Sequence, residues 1–217
     1  MSVGRTAIAA LLALVLVVGC GGGEEKSSSV ALPAGCSQVS APAPKQVHLT
    51  RPAETLRGPA TATVETSCGS FEIALDTARA PKTTSSFAYL ARQGVYDDTP
   101  FHRIVPGFIV QGGDPTGSGT GGPGYHVDEP PPENLSYTRG VVAMAKTAAE
   151  PPGRSGSQFF VVTVADAGLT PDYALLGKVT KGMTVVQAIG RLGDPASGGA
   201  GTPKQSVVIE KATVRER

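Results

Sequence analysis

The chain has 217 residues, of which 17% are charged, and a formal net charge of +1. That balance supplies neither the basic surface nucleic acid requires nor an acidic tail, so no nucleic-acid partner is expected. With 28 Gly, 18 Pro and no Trp, much of the chain must be turn and loop around one domain of ordinary size.

In chain order, Arg5 gives a short positive start and Ala7 to Val18 is an unbroken apolar run of 12 residues. A spanning helix needs about 17–25 residues, so the run fits the apolar part of an export signal instead. It ends Leu16-Val17-Val18-Gly19-Cys20. A small residue before a cysteine at this place resembles the bacterial lipoprotein signal, in which the cysteine is acylated and becomes the first mature residue. An ordinary secretory signal with an incidental cysteine is the alternative. The expectation is a signal over residues 1–19 and a lipid on Cys20. The protein would then sit at the extracytoplasmic side of the cell membrane, held by acyl chains rather than by a basic patch. Gly21 to Lys26, then Pro33, Pro42, Pro44, Pro52 and Pro59, read as a polar tether and extended linker over 20–60.

Cys36 lies in that linker and Cys68 just beyond it. In an exported chain such a pair suggests a disulfide, with two buried thiols as the alternative. His48, His102 and His126 have no ligand spacing, so neither a metal nor a cofactor is expected.

From Thr61 the texture changes, and residues 61–217 read as one domain. Thr63 to Thr66 and Phe71 to Leu75 alternate with period two around Cys68-Gly69-Ser70, which predicts a hairpin. Pro81 opens a helix whose apolar face is Phe87, Leu90 and Ala91 and which Gly94 stops. Short strands are predicted at 101–104, 108–111, 141–145, 158–164 and 173–179. A second helix follows over 183–192, and a last strand over 207–214. Eight short strands and two helices, joined by Gly-rich turns, predict an all-β-dominated fold. The expected form is a closed eight-stranded antiparallel barrel, because closure removes exposed edges. Residues 112–139 form a long Gly- and Pro-rich loop, and loops of that length are usually functional or mobile. Within it, Gly117-Ser118-Gly119-Thr120-Gly121-Gly122 is not a phosphate loop, since no Gly-Lys-Ser/Thr follows.

One segment poses a question. In Phe101-His102-Arg103-Ile104-Val105-Pro106-Gly107-Phe108-Ile109-Val110-Gln111-Gly112-Gly113-Asp114, an arginine stands inside an apolar run, and arginine is seldom buried without a partner. Two further segments accompany it: Gly140 to Ala145 with Gly156-Ser157-Gln158-Phe159-Phe160, and Leu176-Gly177-Lys178-Val179 leading to Gly182-Met183. Together, over about 61–214, they resemble the cyclophilins, peptidyl-prolyl cis–trans isomerases. The resemblance implies an eight-stranded antiparallel barrel with a helix at each end and an active face on its outside.

It also implies roles. Arg103, Phe108 and Gln111 take the catalytic positions. The guanidinium donates to the prolyl nitrogen, and Gln111 contacts the substrate backbone and orients the arginine. Phe108, Ile109, Phe160 and Leu169 match the proline slot, and Ala145 with the Lys146 backbone the strand edge that holds the peptide. Gln158 matches a groove residue and Tyr173 a groove position usually held by histidine. Phe101, Ile104, Phe159 and Val161 are read as core and His102 as structural. Lys146 stands where asparagine is usual, and Gly168 holds the place of a tryptophan, which puts cyclosporin affinity in question. The implied protein is a monomeric isomerase acting on proline-containing polypeptides during export. A proline-binding module or chaperone with little turnover is the alternative, and a barrel serving adhesion or scaffolding a third reading.

Overall fold

In the computed structural model, which describes residues 31–53 and 55–217 together with Met1, the alternating segments become one curled antiparallel sheet. Residues 2–19 of the proposed signal, Cys20 and residues 21–30 of the tether lie outside the described residues. No helix among the described residues is long and apolar enough to cross a membrane.

The first hairpin pairs β1 (Ala60–Thr66) with β2 (Gly69–Leu75) in uninterrupted register. Helix α1 (Pro81–Arg92) starts at proline as predicted, and the Glu129 carboxylate accepts from its free Lys82 and Thr83 amides at 3.1 and 2.7 Å. Next come β3 (Thr99–Pro100), β4 (Arg103–Val105), β5 (Ile109–Gly112), β6 (Val127–Asp128), β7 (Val141–Met144), β8 (Arg154–Ser155), β9 (Phe159–Val162) and β10 (Leu175–Lys181). Helix α2 (Met183–Gly190), a 3-10 segment (Pro195–Ala200) and β11 (Val208–Glu216) complete the domain. The short strands β6 and β8 pair apart from the main sheet.

Among the described residues the main sheet has nine strands, in the order β3-β11-β1-β2-β10-β7-β9-β5-β4. It is mostly β, as expected, but it is open where a closed eight-stranded barrel was predicted. Its two edges, β3 and β4, are consecutive in the chain and separated only by Phe101 and His102. The backbone itself turns the corner there, so no ladder closes it. The donors at this corner are taken elsewhere: Phe101 N–H bonds the Val207 carbonyl at 2.8 Å and Ile104 N–H the Gly201 carbonyl at 2.7 Å. Pro100 has no N–H to offer.

Strand alternation sorts the side chains into two cores. Inside the curl, Phe159 meets Phe87, Tyr96 and Phe101 edge-on at 5.8, 5.9 and 6.3 Å, with Ile104, Val110 and Val161 in the same cluster. The four residues read as core, Phe101, Ile104, Phe159 and Val161, are there. Outside, Ile109, Phe160, Tyr137, Ala143 and Leu175 form a second cluster. Adjacent phenylalanines thus serve opposite faces, because successive strand side chains point to opposite sides.

Residues 31–53 and 55–59 run as an extended strap over the domain. Cys36 and Cys68 are joined as a disulfide. Leu32, Val47, Leu49 and Leu56 pack on the inner core, and Lys45 N and Leu49 N bond the Pro115 and Pro123 carbonyls, each at 2.8 Å.

Candidate active site

The outer face of the sheet carries a row of cross-strand partners. Arg103 on β4 faces Gln111 on β5, Gln111 faces Phe160 on β9, and Phe160 faces Ala143 on β7. A period of two therefore puts the arginine, the glutamine and the phenylalanine side by side, although 57 positions separate Arg103 from Phe160 in the sequence.

The guanidinium is fixed from two sides. Its Nε and Nη2 donate to the Gly199 carbonyl at 3.0 and 2.9 Å, and Nη1 donates to Gln111 Oε1 at 3.1 Å. A guanidinium has five N–H groups, so two remain to aim at a ligand. Gly201 holds the loop against this stem. Its φ is +67°, and a Cβ there would approach the Arg103 and Val105 side chains to 2.8 Å.

Gln111 passes the constraint on. Its Nε2 donates to Gln158 Oε1 at 3.0 Å, and Gln158 Nε2 donates to the Gly119 and Gly121 carbonyls, both at 3.0 Å. That glycine-rich loop is held in turn by buried Asp114. Its carboxylate accepts from the Thr116, Gly119 and Gly121 amides at 2.7, 2.6 and 3.0 Å. Burial pushes the Asp114 carboxyl up, but these donors outweigh it and hold it below the usual carboxylate range. His102 Nε2 lies 3.3 Å from Gln111 Nε2. Burial, with the nearby Arg103 cation, lowers its pKa. The neutral ring can then accept from the Gln111 amide, which fits a structural histidine. Gly113, at φ +82°, lets the backbone pass where a Cβ would strike the Ser157 carbonyl and the Phe159 ring.

Beside the arginine is an apolar slot. Ile109 and Phe160 are buried in the outer cluster, and Phe108, Ala145, Leu169 and Tyr173 pack on it while partly open. Phe160 meets the Tyr173 ring edge-on at 5.4 Å. Lys146 Nζ stands 5.5 Å from the Tyr173 ring centroid and donates to the Glu150 carbonyl at 3.0 Å. The structure thus brings Phe108, Ile109, Ala145, Phe160, Leu169 and Tyr173 together in the apolar cluster and joins Arg103, Gln111 and Gln158 in one hydrogen-bonded chain, while Lys146 meets the cluster through the Tyr173 ring.

Sequence reading missed three contributors. The Gly199 carbonyl anchors Arg103 from a Gly-rich stretch with no local signal. Asp114 stands at the end of the motif segment, where nothing in the sequence marks it as the holder of the following loop. Tyr137 lies under the slot, its hydroxyl donating to the Tyr173 carbonyl at 2.6 Å and accepting from the Tyr173 amide at 2.9 Å. Burial pushes that phenol up to about 12. Among the described residues no cluster of His, Cys, Asp or Glu could hold a metal ion.

A curled sheet with a clamped guanidinium beside an outward apolar slot defines a cyclophilin fold and site. The chain belongs to the family described as cyclophilin type peptidyl-prolyl cis-trans isomerase/CLD, which matches residues 61–214. It is 41% identical over 175 residues to "Peptidyl-prolyl cis-trans isomerase B" of Streptomyces anulatus, covering 72% of this chain and 97% of the relative. It is 40% identical over 157 residues to "Peptidyl-prolyl cis-trans isomerase-like 1" of Gibberella zeae, covering 70% and 93%. A crystal structure of a Cryptosporidium parvum cyclophilin type isomerase, solved in the presence of the dipeptide Ala-Pro, superposes with a TM-score of 0.65 at 29% identity. It covers 72% of this chain and 99% of that one. The protein is a peptidyl-prolyl cis–trans isomerase.

Proposed function

We propose that this isomerase works on exported polypeptides at the outer face of the cytoplasmic membrane, with Arg103, Phe108 and Gln111 as its catalytic residues. The observation that carries the site assignment is the Arg103 fork, clamped by Gly199 and Gln111 beside the Phe160–Ile109 slot.

Resonance holds the X-Pro amide planar behind a barrier of about 18–20 kcal/mol. As the bond twists, the prolyl nitrogen becomes pyramidal and regains its lone pair. A guanidinium N–H aimed at that nitrogen bonds the twisted amide and not the planar one, which lowers the barrier. No bond is cleaved and no proton needs to leave the enzyme, so a permanently charged donor serves where a titrating one would add nothing. Phe108, Ile109, Phe160 and Leu169 take the proline ring, with Tyr173 at the rim. Ala145, the Lys146 backbone and Gln158 hold the flanking chain. That the Cryptosporidium structure was solved in the presence of Ala-Pro supports a proline ligand here.

The export part of the reading rests on the apolar run before Gly19-Cys20 and is supported by the Cys36–Cys68 disulfide, a bond typical of oxidising compartments. Mass spectrometry of the protein from its native membrane should find acylated Cys20 at the N-terminus, and a soluble form beginning elsewhere would refute the anchor. For the site, the purified protein should accelerate X-Pro exchange in a short peptide and Arg103→Ala should lose most of that acceleration. Full activity in that variant would overturn the assignment, and peptide binding without acceleration in the wild type would favour the binding-module reading.

A further inference from the structure

The strap is absent from the part of the chain that matches the family, which begins at residue 61. Yet it reaches the site. Between the two backbone bonds of Lys45 to Pro115 and Leu49 to Pro123, residues Gln46, Val47 and His48 are laid along the glycine-rich loop. The anchor is reinforced by Lys45 Nζ, which donates to the Gly94 carbonyl at 3.2 Å and also to that of Asp97. Farther back the disulfide and the Ser37 N–H to Ser67 carbonyl bond (2.7 Å) tie the strap to the first hairpin.

Gln46, Val47 and His48 form one wall of a cavity of about 550 Å³. The same cavity is lined by Gln111, Ala145 and Gln158, which are groove residues of the proposed site. The cavity therefore continues the groove past the proline slot, and it is roomy enough for more than one side chain. The Gln46 and His48 side chains are exposed, while Val47 is half-buried against the core. Packing thus does not dictate the identity of Gln46 or His48, and both present hydrogen-bonding groups at the rim. Buried Ser157, on the cavity lining, has a hydroxyl with no partner among the described residues.

We propose that Gln46–His48 form a specificity wall for the substrate, contacting the stretch of polypeptide that flanks the isomerising proline on one side. The occupant is the client chain itself, because the cavity is continuous with the slot that takes its proline. The inference rests on the isomerase site assigned above. Selectivity for flanking residues would then reside in this chain's N-terminal strap, outside the catalytic domain proper.

The test uses the full chain and a panel of X-Pro peptides varied at two positions on each side of the proline. In wild type, kcat/KM should depend on the residues on one side. The double substitution Gln46→Ala with His48→Ala should flatten that dependence by about 5–10-fold, the size of one or two hydrogen bonds, and act through KM rather than kcat. An active variant with an unchanged selectivity profile overturns the inference. An NMR titration of the wild type supplies a readout independent of turnover and of the variant's folding. The amides of residues 46–48 should shift with a long proline peptide, saturating together with Gln111 and Gln158, and should stay still with Ala-Pro. Movement at Gln111 and Gln158 with silence at 46–48 overturns the strap wall alone. Silence at all of them, with no turnover, overturns the site itself.

Discussion

Arg103→Lys separates charge from geometry. Lysine keeps the positive charge but replaces the planar fork by a point donor on a flexible stem. Arg103 spends one N–H on each of three anchoring bonds, two to Gly199 and one to Gln111, and still has two free. An ammonium has three donors in all, enough in number for Gly199, Gln111 and a ligand, but they diverge from one nitrogen on a flexible stem, whereas the guanidinium spreads its donors over three nitrogens in one plane. Removal of an aimed donor from comparable sites costs about 10²–10³ in rate. The expected outcome is a loss near 10³ for Arg103→Ala and near 10² for Arg103→Lys, which retains the field of the charge. Both should appear in kcat/KM on a short X-Pro peptide followed by a coupled or NMR exchange assay. Folding should survive, because Arg103 lies on an edge strand and its bonds are largely exposed. A lysine variant within twofold of wild type would refute the argument, since charge alone would then suffice.

Three other outcomes are expected. Replacing both Cys36 and Cys68 by serine should cost about 3–4 kcal/mol through the freed loop of 32-residue separation, lowering Tm by about 6–15 °C, and an unchanged Tm would refute it. The unfolded chain takes up a proton on His102 near pH 6.5 while burial keeps the folded ring neutral, so stability should fall as pH drops below 6.5. His102→Gln should lack that component, and parallel Tm-against-pH curves would contradict it. Cyclosporin should inhibit weakly, because a Cβ at Gly168 would meet nothing within 4 Å and the tryptophan contact expected of sensitive relatives is missing. An aromatic there would add about 150–250 Å² at roughly 25 cal/mol per Å² before discounting for water and repacking. Inhibition in the low nanomolar range would show that Gly168 does not hold that place.

Much of this protein is legible in its residues because its key patterns are local. Period two set Arg103, Gln111 and Ile109 on the face opposite Ile104 and Val110, and split Phe159 from Phe160. Pro81 opened one helix, and the motif order alone identified the family. Short regular structure is not legible in this way: the strands β3, β6 and β8, two residues each, carry no periodicity to read. The sheet's openness was equally hidden, because it depends on which carbonyls take the Phe101 and Ile104 amides, and those lie about a hundred residues away. So too with the site's supports. The Gly199 carbonyl and the Tyr137 hydroxyl act through long-range hydrogen bonds that no spacing announces, and the Asp114 carboxylate through bonds to loop amides two to seven residues on, whose turn geometry no periodicity reveals. Local pattern was enough to name the groups on offer, an arginine and a glutamine among apolar strand residues. What holds that arginine, and what lays residues 46–48 beside Gln111 and Gln158, come from the folded chain, because both depend on contacts between segments far apart in the sequence.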